Sequence, residues 1–220
     1  MTENLLDLAI QDSAKYAYEN FGEASYFDGP SSRQDFWIHV IDNYLLQKLI
    51  PTHEDAAQSK LILEFGVFEG RSTNFFAQRL PDFEMHGFDS FLGLEEDWYG
   101  HSEFKKGAFS VNGKIPKVPD NVSLHKGWFE QTLPVFKKVL GDRKITLLIL
   151  DADTYKPTTF VLNGLASNLT SGTVIIFDEY FGYPNWRAHE MRAWEEFSLK
   201  SKINYRFIAY TSMRVALQII

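Results

Sequence analysis

Residues 145–155 read Ile-Thr-Leu-Leu-Ile-Leu-Asp-Ala-Asp-Thr-Tyr, an apolar run that ends in two carboxylates, Asp151 and Asp153. A run of this length, without alternating polar residues, is typical of a strand buried on both faces of a parallel sheet. In open α/β sheets, ligands bind in the crevice outside the carboxyl ends of such strands. The segment therefore predicts an α/β fold with a functional site at the end of this strand.

A second segment repeats this pattern. Residues 173–177 read Thr-Val-Ile-Ile-Phe and are followed by Asp178 and Glu179. Because Asp151 and Asp178 each directly follow a strand, neighbouring strands would place them side by side. Several carboxylates in one place are costly unless a cation or a shared proton neutralises them. Oxygen ligands suit Mg²⁺ or Ca²⁺, and the simpler alternative is a set of solvated loop acids that cap helices.

An earlier strand leads into a glycine turn. Residues 61–65 read Leu-Ile-Leu-Glu-Phe, and Gly66 and Gly70 follow before a helix and a second strand that ends in Asp89. This order is typical of the opening unit of a nucleotide-binding βαβ fold, in which such an acid binds the ribose hydroxyls. The dinucleotide pattern G-x-G-x-x-G is absent because Phe68 stands where the second glycine belongs. We therefore expect a nucleoside that carries an amino acid rather than a pyrophosphate, with a tight packing turn as the alternative.

The rest of the chain completes one α/β domain. Apolar residues near a 3.6-residue period predict helices over residues 4–20 and 33–50, and those of the first helix are Leu5, Leu6, Ala9, Ile10, Ala14 and Ala17. Residues 91–120 show no clear period; their aromatic residues favour an ordered lid over the site, with a disordered segment as the alternative. The further predicted elements are a strand at 122–125, helices at 131–140, 158–168 and 185–200, and an antiparallel hairpin at 203–209 and 213–219.

These elements predict a Rossmann-like, seven-stranded mixed sheet flanked by helices, with a C-terminal antiparallel hairpin and an N-terminal helical extension. We expect residues 1–220 to form a single domain. Residues 1–55 would be a helical cap or lid, and residues 60–220 would be the Rossmann-like core.

The amino-acid composition excludes or disfavours several classes of function. The chain has 220 residues, no cysteine and a formal net charge of -7, so thiolate chemistry is excluded and a general nucleic-acid binder is disfavoured. We find no signal peptide and no apolar run of transmembrane length, and therefore expect a cytoplasmic protein that does not bind a membrane. Aromatic residues make up 15% of the chain, which allows a ring-lined pocket or a homodimer contact.

Taken together and in this order, the motifs resemble those of class I S-adenosylmethionine-dependent methyltransferases. Within that class the chain is similar to the metal-dependent sugar O-methyltransferases related to macrocin O-methyltransferase. The resemblance extends over about residues 60–200, and the segments that carry it are 64–72, 87–94, 127–134, 151–155 and 172–180.

The resemblance implies a fold, a cofactor and roles for individual residues. Asp151, Asp178 and Glu179 would bind Mg²⁺, and Asp153 would be the general base. Glu179 departs from the family, which more often has a second aspartate at that position. The resemblance implies S-adenosylmethionine contacts from Glu64, Gly66 and Gly70 around the methionine, Asp89 at the ribose, Gly127, Trp128 and Phe129 near the adenine, and Ser72, Ser90 and Asp151.

The predicted activity is transfer of a methyl group from S-adenosylmethionine to a hydroxyl of a sugar or other small polyhydroxylated metabolite. The alternatives are a non-catalytic S-adenosylmethionine-binding module and a metal-independent methyltransferase. An NAD-dependent enzyme is disfavoured by the missing second glycine. His125, at a strand end, and His189, near a helix start, could each contact a ligand or be structural.

Overall fold

The computed structural model describes residues 4–46, 60–100 and 104–220. The last part of the predicted helix 33–50 and part of the predicted cap, residues 1–55, lie outside these ranges.

The described residues form a mixed sheet of eight strands flanked by helices. In chain order the strands are β1 (Ser25–Tyr26), β2 (Leu61–Phe65), β3 (Glu84–Asp89), β4 (Val122–Lys126), β5 (Leu147–Leu150), β6 (Val174–Phe177), β7 (Tyr205–Tyr210) and β8 (Val215–Ile219). Their spatial order is β1-β7-β8-β6-β5-β2-β3-β4, and β8 runs antiparallel to both β6 and β7. The Rossmann-like mixed sheet and its C-terminal hairpin are therefore confirmed. The eighth strand is β1, which has only two residues and lies between the two predicted N-terminal helices.

Six α-helices in the described ranges flank the sheet. They are α1 (Leu5–Asn20), α2 (Ser32–Val40, continued by a π-helical turn at Ile41–Leu46), α3 (Arg71–Arg79), α4 (Phe129–Leu140), α5 (Tyr155–Leu165) and α6 (Glu190–Ser201). The predicted helix 185–200 is shorter than expected, because Trp186–Ala188 form a separate 3₁₀ turn before α6 begins.

Helix α1 buries only part of its predicted apolar set. Its buried residues are Ala9, Ser13, Tyr16 and Ala17, whereas Leu5, Leu6, Ile10 and Ala14 are exposed. Among the buried residues, Tyr16 packs edge-on against Trp186 at a centroid distance of 5.2 Å.

The register of the sheet brings the predicted acids to one edge. Phe65 pairs with Leu150, and Leu150 pairs with Phe177, so three parallel strands end at the same level. The backbone pairing continues for one residue, since the Asp151 amide donates to the Phe65 carbonyl at 2.9 Å and the Asp178 amide donates to the Leu150 carbonyl at 2.9 Å. Asp151 and Asp178 therefore lie next to each other, as their positions after the strands predicted.

Candidate active site

A cavity of about 620 Å³ opens at the carboxyl ends of β2, β3, β5 and β6. Its wall combines the glycine turn after β2, the acid at the end of β3, the start of α4 and the acidic turns after β5 and β6. The predicted site residues in this wall are Gly66, Asp89, Ser90, Trp128, Phe129, Asp151, Asp153, Asp178 and Glu179. Among the described residues, the wall does not include Glu64, Gly70, Ser72 or Gly127.

Gly66 lets the glycine turn approach the strand that carries Asp151. Its φ is +98°, and a Cβ built on it would lie 1.9 Å from the Asp151 carbonyl oxygen. No side chain fits that space, and L residues rarely adopt that φ. The backbone of the turn and the acid-bearing strand end therefore stand in direct contact, which brings the predicted cofactor and metal regions together.

Glu64 lies beneath this turn and is fully buried. Its Oε2 accepts from the hydroxyl of Thr73 in α3. Burial raises the pKa of Glu64 to about 7, against the opposing effect of hydrogen bonds from Ser72 and Thr73. Its Oε1 is buried and has no hydrogen-bond partner among the described residues. In this structure Glu64 therefore contacts helix α3 and does not line the cavity.

Gly70 and Gly127 act through the backbone at the starts of two helices. Gly70 caps α3 in the left-handed region, with φ +79°. Gly127 directly precedes Trp128, the residue that caps α4, and its amide donates to the Asp89 carbonyl at 2.9 Å.

Asp89 fixes the glycine turn as well as lining the cavity. Its Oδ2 accepts from the amides of Val67 at 2.8 Å and Phe68 at 2.7 Å, and its Oδ1 accepts from the Phe91 amide at 2.6 Å. A carboxylate offers about four acceptor positions. These three bonds therefore leave one position for a ribose hydroxyl, and that role stays a prediction.

Three of the acids form a compact cluster. Asp151, Asp153 and Glu179 each offer a carboxylate oxygen, and these oxygens all lie within 4.8 Å of one another. Burial and repulsion from neighbouring carboxylates raise the pKa of Asp153 to about 8 and the pKa values of Asp151 and Glu179 well above their usual range. Glu179 Oε2 is buried without a hydrogen-bond partner among the described residues. The cluster therefore offers hard oxygen donors that fit Mg²⁺.

Asp178 is held differently from the other acids. Arg214, which directly precedes β8, donates from Nε to Oδ1 at 2.6 Å and from its NH2 group to Oδ2 at 2.9 Å. Arg33 in α2 donates to Oδ2 at 3.3 Å and also lines the cavity. Burial raises the pKa of Asp178, and the charge of Arg33 and a hydrogen bond from Glu179 oppose that rise. Of the three predicted metal ligands, the structure clusters Asp151 and Glu179 with Asp153 and pairs Asp178 with arginine.

The sequence reasoning missed Glu190, the first residue of α6. Its side chain is fully buried, and its two oxygens accept from the amides of Ala152 and Glu179, each at 3.2 Å. An acid in the first turn of a helix is common, because it complements the helix dipole. The sequence alone therefore gave no sign that this acid reaches two other turns.

The two candidate histidines have structural partners. His125 Nε2 lies 2.9 Å from Nδ1 of His86, and its ring stacks on Phe88. His189 Nε2 lies 2.6 Å from the Tyr99 carbonyl oxygen, to which its N–H donates. Burial lowers the pKa of both His125 and His189. In the described chain, the cavity wall includes neither ring.

Comparisons with known proteins identify the family and the fold of the chain. Residues 63–180 match the family described as a methyltransferase domain. The fold is similar to CalS11, a calicheamicin methyltransferase, with 20% identity, a TM-score of 0.64, and coverage of 99% of this chain and 94% of that one. It is also similar to the O-methyltransferase NovP, with 19% identity, a TM-score of 0.63, and coverage of 97% of both chains.

A second CalS11 structure, the apo form described as a TDP-rhamnose 3′-O-methyltransferase, matches with 18% identity and a TM-score of 0.52, covering 99% of this chain and 96% of that one. At these identities the likeness shows the fold. No curated protein matches the sequence significantly. Among the described residues, no helix is long and apolar enough to cross a membrane.

Proposed function

Because the chain belongs to the methyltransferase domain family, we propose that it transfers a methyl group from S-adenosylmethionine to a hydroxyl oxygen of a sugar or other small polyhydroxylated metabolite. The observation that carries the proposal is the direct contact between the Gly66 turn and the Asp151 strand end, which puts a cofactor cradle against an acid cluster. The activity of CalS11 on TDP-rhamnose supports a sugar as acceptor.

The cofactor would lie along the ends of β2, β3 and β4. Gly66 lines the cavity where we place the methionine part, and Asp89 keeps one acceptor position for the ribose. Trp128 and Phe129 give the cavity aromatic surfaces that suit an adenine ring. S-adenosylmethionine supplies the methyl group as a sulfonium electrophile.

Asp151 and Glu179 are the residues that we propose to hold Mg²⁺. Both belong to the cluster and both follow strands, and Mg²⁺ in proteins usually takes one or two carboxylates and several waters. When bound, the ion would lower the pKa of an acceptor hydroxyl. A role for Asp178 as a ligand, which the sequence predicted, would require it to share its oxygens with Arg214.

Asp153 is the proposed general base. It lies in the cavity wall beside the proposed ligands. A carboxylate in this position can act as a general base when it is ionised, and the charge of a cation held by Asp151 and Glu179 would favour that ionised form. Asp153 would accept the proton of the hydroxyl while the cavity wall holds that oxygen in line with the methyl group.

The test begins with a screen of sugars and small polyols for formation of S-adenosylhomocysteine. With an accepted substrate, Asp153→Asn should lose about 10²–10⁴-fold in kcat and keep its affinity for S-adenosylmethionine, measured by calorimetry. The matched control is Asp142→Asn, an exposed aspartate in the turn between α4 and β5, which should behave as wild type. Near-normal turnover by the Asp153 variant would exclude that residue as the base.

A metal-independent methyltransferase is the second candidate. The pairing of Asp178 with two arginines favours it, since the protein itself supplies positive charge to this group of acids. Turnover measured with added Mg²⁺ and with a chelator separates the candidates. Full activity in chelator would support the second candidate, and activity that returns only with Mg²⁺ would support the first.

A further inference from the structure

We propose that Glu190 is a positioning residue that holds the two acid-bearing turns at the spacing a divalent cation requires. The inference rests on the proposed function of the cluster formed by Asp151, Asp153 and Glu179. It concerns a side chain that is not itself a member of that cluster among the described residues.

Glu190 connects the two acid-bearing turns through hydrogen bonds. One carboxylate oxygen of Glu190 accepts from the amide of Ala152, which lies between Asp151 and Asp153. The other oxygen accepts from the amide of Glu179. A single rigid carboxylate therefore links the turn after β5 to the turn after β6. Beyond the bond from the Asp178 amide to the Leu150 carbonyl, the two turns share no backbone hydrogen bond in the described part of the chain.

The turn after β5 contains a residue in an unfavourable backbone conformation that its surroundings must maintain. Asp153 has φ +60°, a left-handed conformation that a residue with a side chain adopts at a cost. Such a conformation persists only where the surroundings impose it. The bond from the Ala152 amide to Glu190 restrains the residue immediately before Asp153, and so limits relaxation of this turn.

Glu190 is itself held in place by the packing of its helix. It begins α6, whose side chains Met191, Trp194 and Phe197 are all buried. The carboxylate is fully buried as well. Both turns are thus anchored to one buried side chain. Hydrogen-bonded partners commonly hold the ligands of a metal centre in the same way.

The test uses Glu190→Gln in the full chain. A glutamine has nearly the same shape, but its amide group would face one of the two backbone N–H groups, donor against donor. The matched control is Glu195→Gln in the same helix, an exposed acid that accepts from the Tyr16 hydroxyl at 3.3 Å and can still do so as glutamine. Glu190→Asp, which keeps the charge but is one methylene shorter, is the second variant in case the first folds poorly.

Three measurements apply to each variant: Mn²⁺ affinity by calorimetry, S-adenosylmethionine affinity, and amide hydrogen exchange of the two turns. We expect about 10–100-fold weaker Mn²⁺ binding in the Glu190 variants. We also expect faster exchange at Ala152 and Glu179 and an unchanged cofactor affinity. In turnover assays the loss should appear in kcat, with KM for S-adenosylmethionine unchanged.

Mn²⁺ affinity and exchange equal to wild type in either folded Glu190 variant would overturn the proposal. An equal loss of Mn²⁺ and cofactor affinity would also overturn it, because that pattern indicates general damage to the fold. If wild type binds no Mn²⁺, the metal part of the proposed function fails. The exchange of the Ala152 and Glu179 amides then decides on its own whether Glu190 links the turns.

Discussion

Substitution of Gly66 by alanine tests the contact on which the proposed site depends. The added Cβ would lie 1.9 Å from the Asp151 carbonyl oxygen and 2.8 Å from the carbonyl carbon. Neither side can retreat freely. The Gly66 amide donates to the Phe88 carbonyl at 3.0 Å, and the Asp151 amide donates to the Phe65 carbonyl at 2.9 Å. Relief of the overlap therefore requires the ends of β2 and β5 to separate.

The expected cost has two parts. An alanine in the left-handed region costs about 1–2 kcal/mol, and inserting a methyl group into filled space costs about 1–3 kcal/mol, occasionally more. The overlap with a backbone atom held in the sheet puts Gly66→Ala toward the upper end of that range. We therefore expect a loss of about 3–5 kcal/mol in the free energy of unfolding.

Gly29→Ala is the control that separates the two parts. Gly29 has φ +87°, close to that of Gly66, but a Cβ there would meet nothing within 4 Å. This variant should show only the conformational cost, and the change in unfolded-chain entropy is the same in both variants. The difference between them, about 1–3 kcal/mol or more, isolates the overlap.

The assay is urea unfolding at equilibrium, with thermal unfolding as a second measure. For a chain of this size, each kcal/mol corresponds to about 2–4 °C in Tm. We also expect Gly66→Ala to lose affinity for S-adenosylmethionine while Gly29→Ala retains it. Equal unfolding free energies for the two variants would refute the reasoning, because the contact between the glycine turn and the acid-bearing strand would then not exist.

Two further substitutions test the buried charges. Glu64 has a pKa of about 7 in the folded chain against an ordinary value of 4.5, so the folded state binds the extra proton and wild-type stability should fall by on the order of 3 kcal/mol as pH rises from 4.5 to 7. Glu64→Gln should flatten that fall in urea unfolding measured across the same pH window, and an unchanged slope would contradict the assignment. Arg214→Met should cost about 3–5 kcal/mol, because it leaves Asp178 buried with only the half-exposed Arg33 beside it. The double variant with Asp178→Asn should recover much of that loss, and strictly additive losses would argue against the pair.

The sheet was predictable because its central strands have a recognisable sequence pattern. The runs that became β2, β5 and β6 are buried at every position, and burial on both faces produces uninterrupted apolar sequence. Strand β1 carries no such signal. It is two residues long, and it is held by parallel pairing of Ser25 with Ala209 and Tyr26 with Tyr210, almost the whole length of the chain away.

The location of the acids was predictable for the same reason, whereas their partners were not. A residue that directly follows a parallel strand lies at the edge of the sheet, so Asp151 and Asp178 could be placed from sequence alone. Which of them meets a cation of the protein depends on Arg33 and Arg214, 145 and 36 residues from Asp178 in the chain. Residue spacing predicts contacts within one turn or between two neighbouring strands. The contacts of Glu190 with the two acid-bearing turns could therefore not be predicted from spacing either.

The distribution of compensating groups argues for where a cation would bind. Burial raises the pKa of Asp178 and of Glu190 as well, but Asp178 has Arg33 and Arg214, and Glu190 has two backbone N–H donors, so each has partners that oppose the rise. For Asp151, Asp153 and Glu179, burial and neighbouring carboxylates all act to raise the pKa.

A divalent ion held by Asp151 and Glu179 would oppose this rise in pKa at all three acids, since its charge stabilises the ionised form of nearby carboxylates. The same ion beside Asp178 would compete with a guanidinium that already makes two hydrogen bonds. An acid that follows a strand is therefore a candidate ligand. It is a good candidate only where no cation of the protein already pairs with its carboxylate.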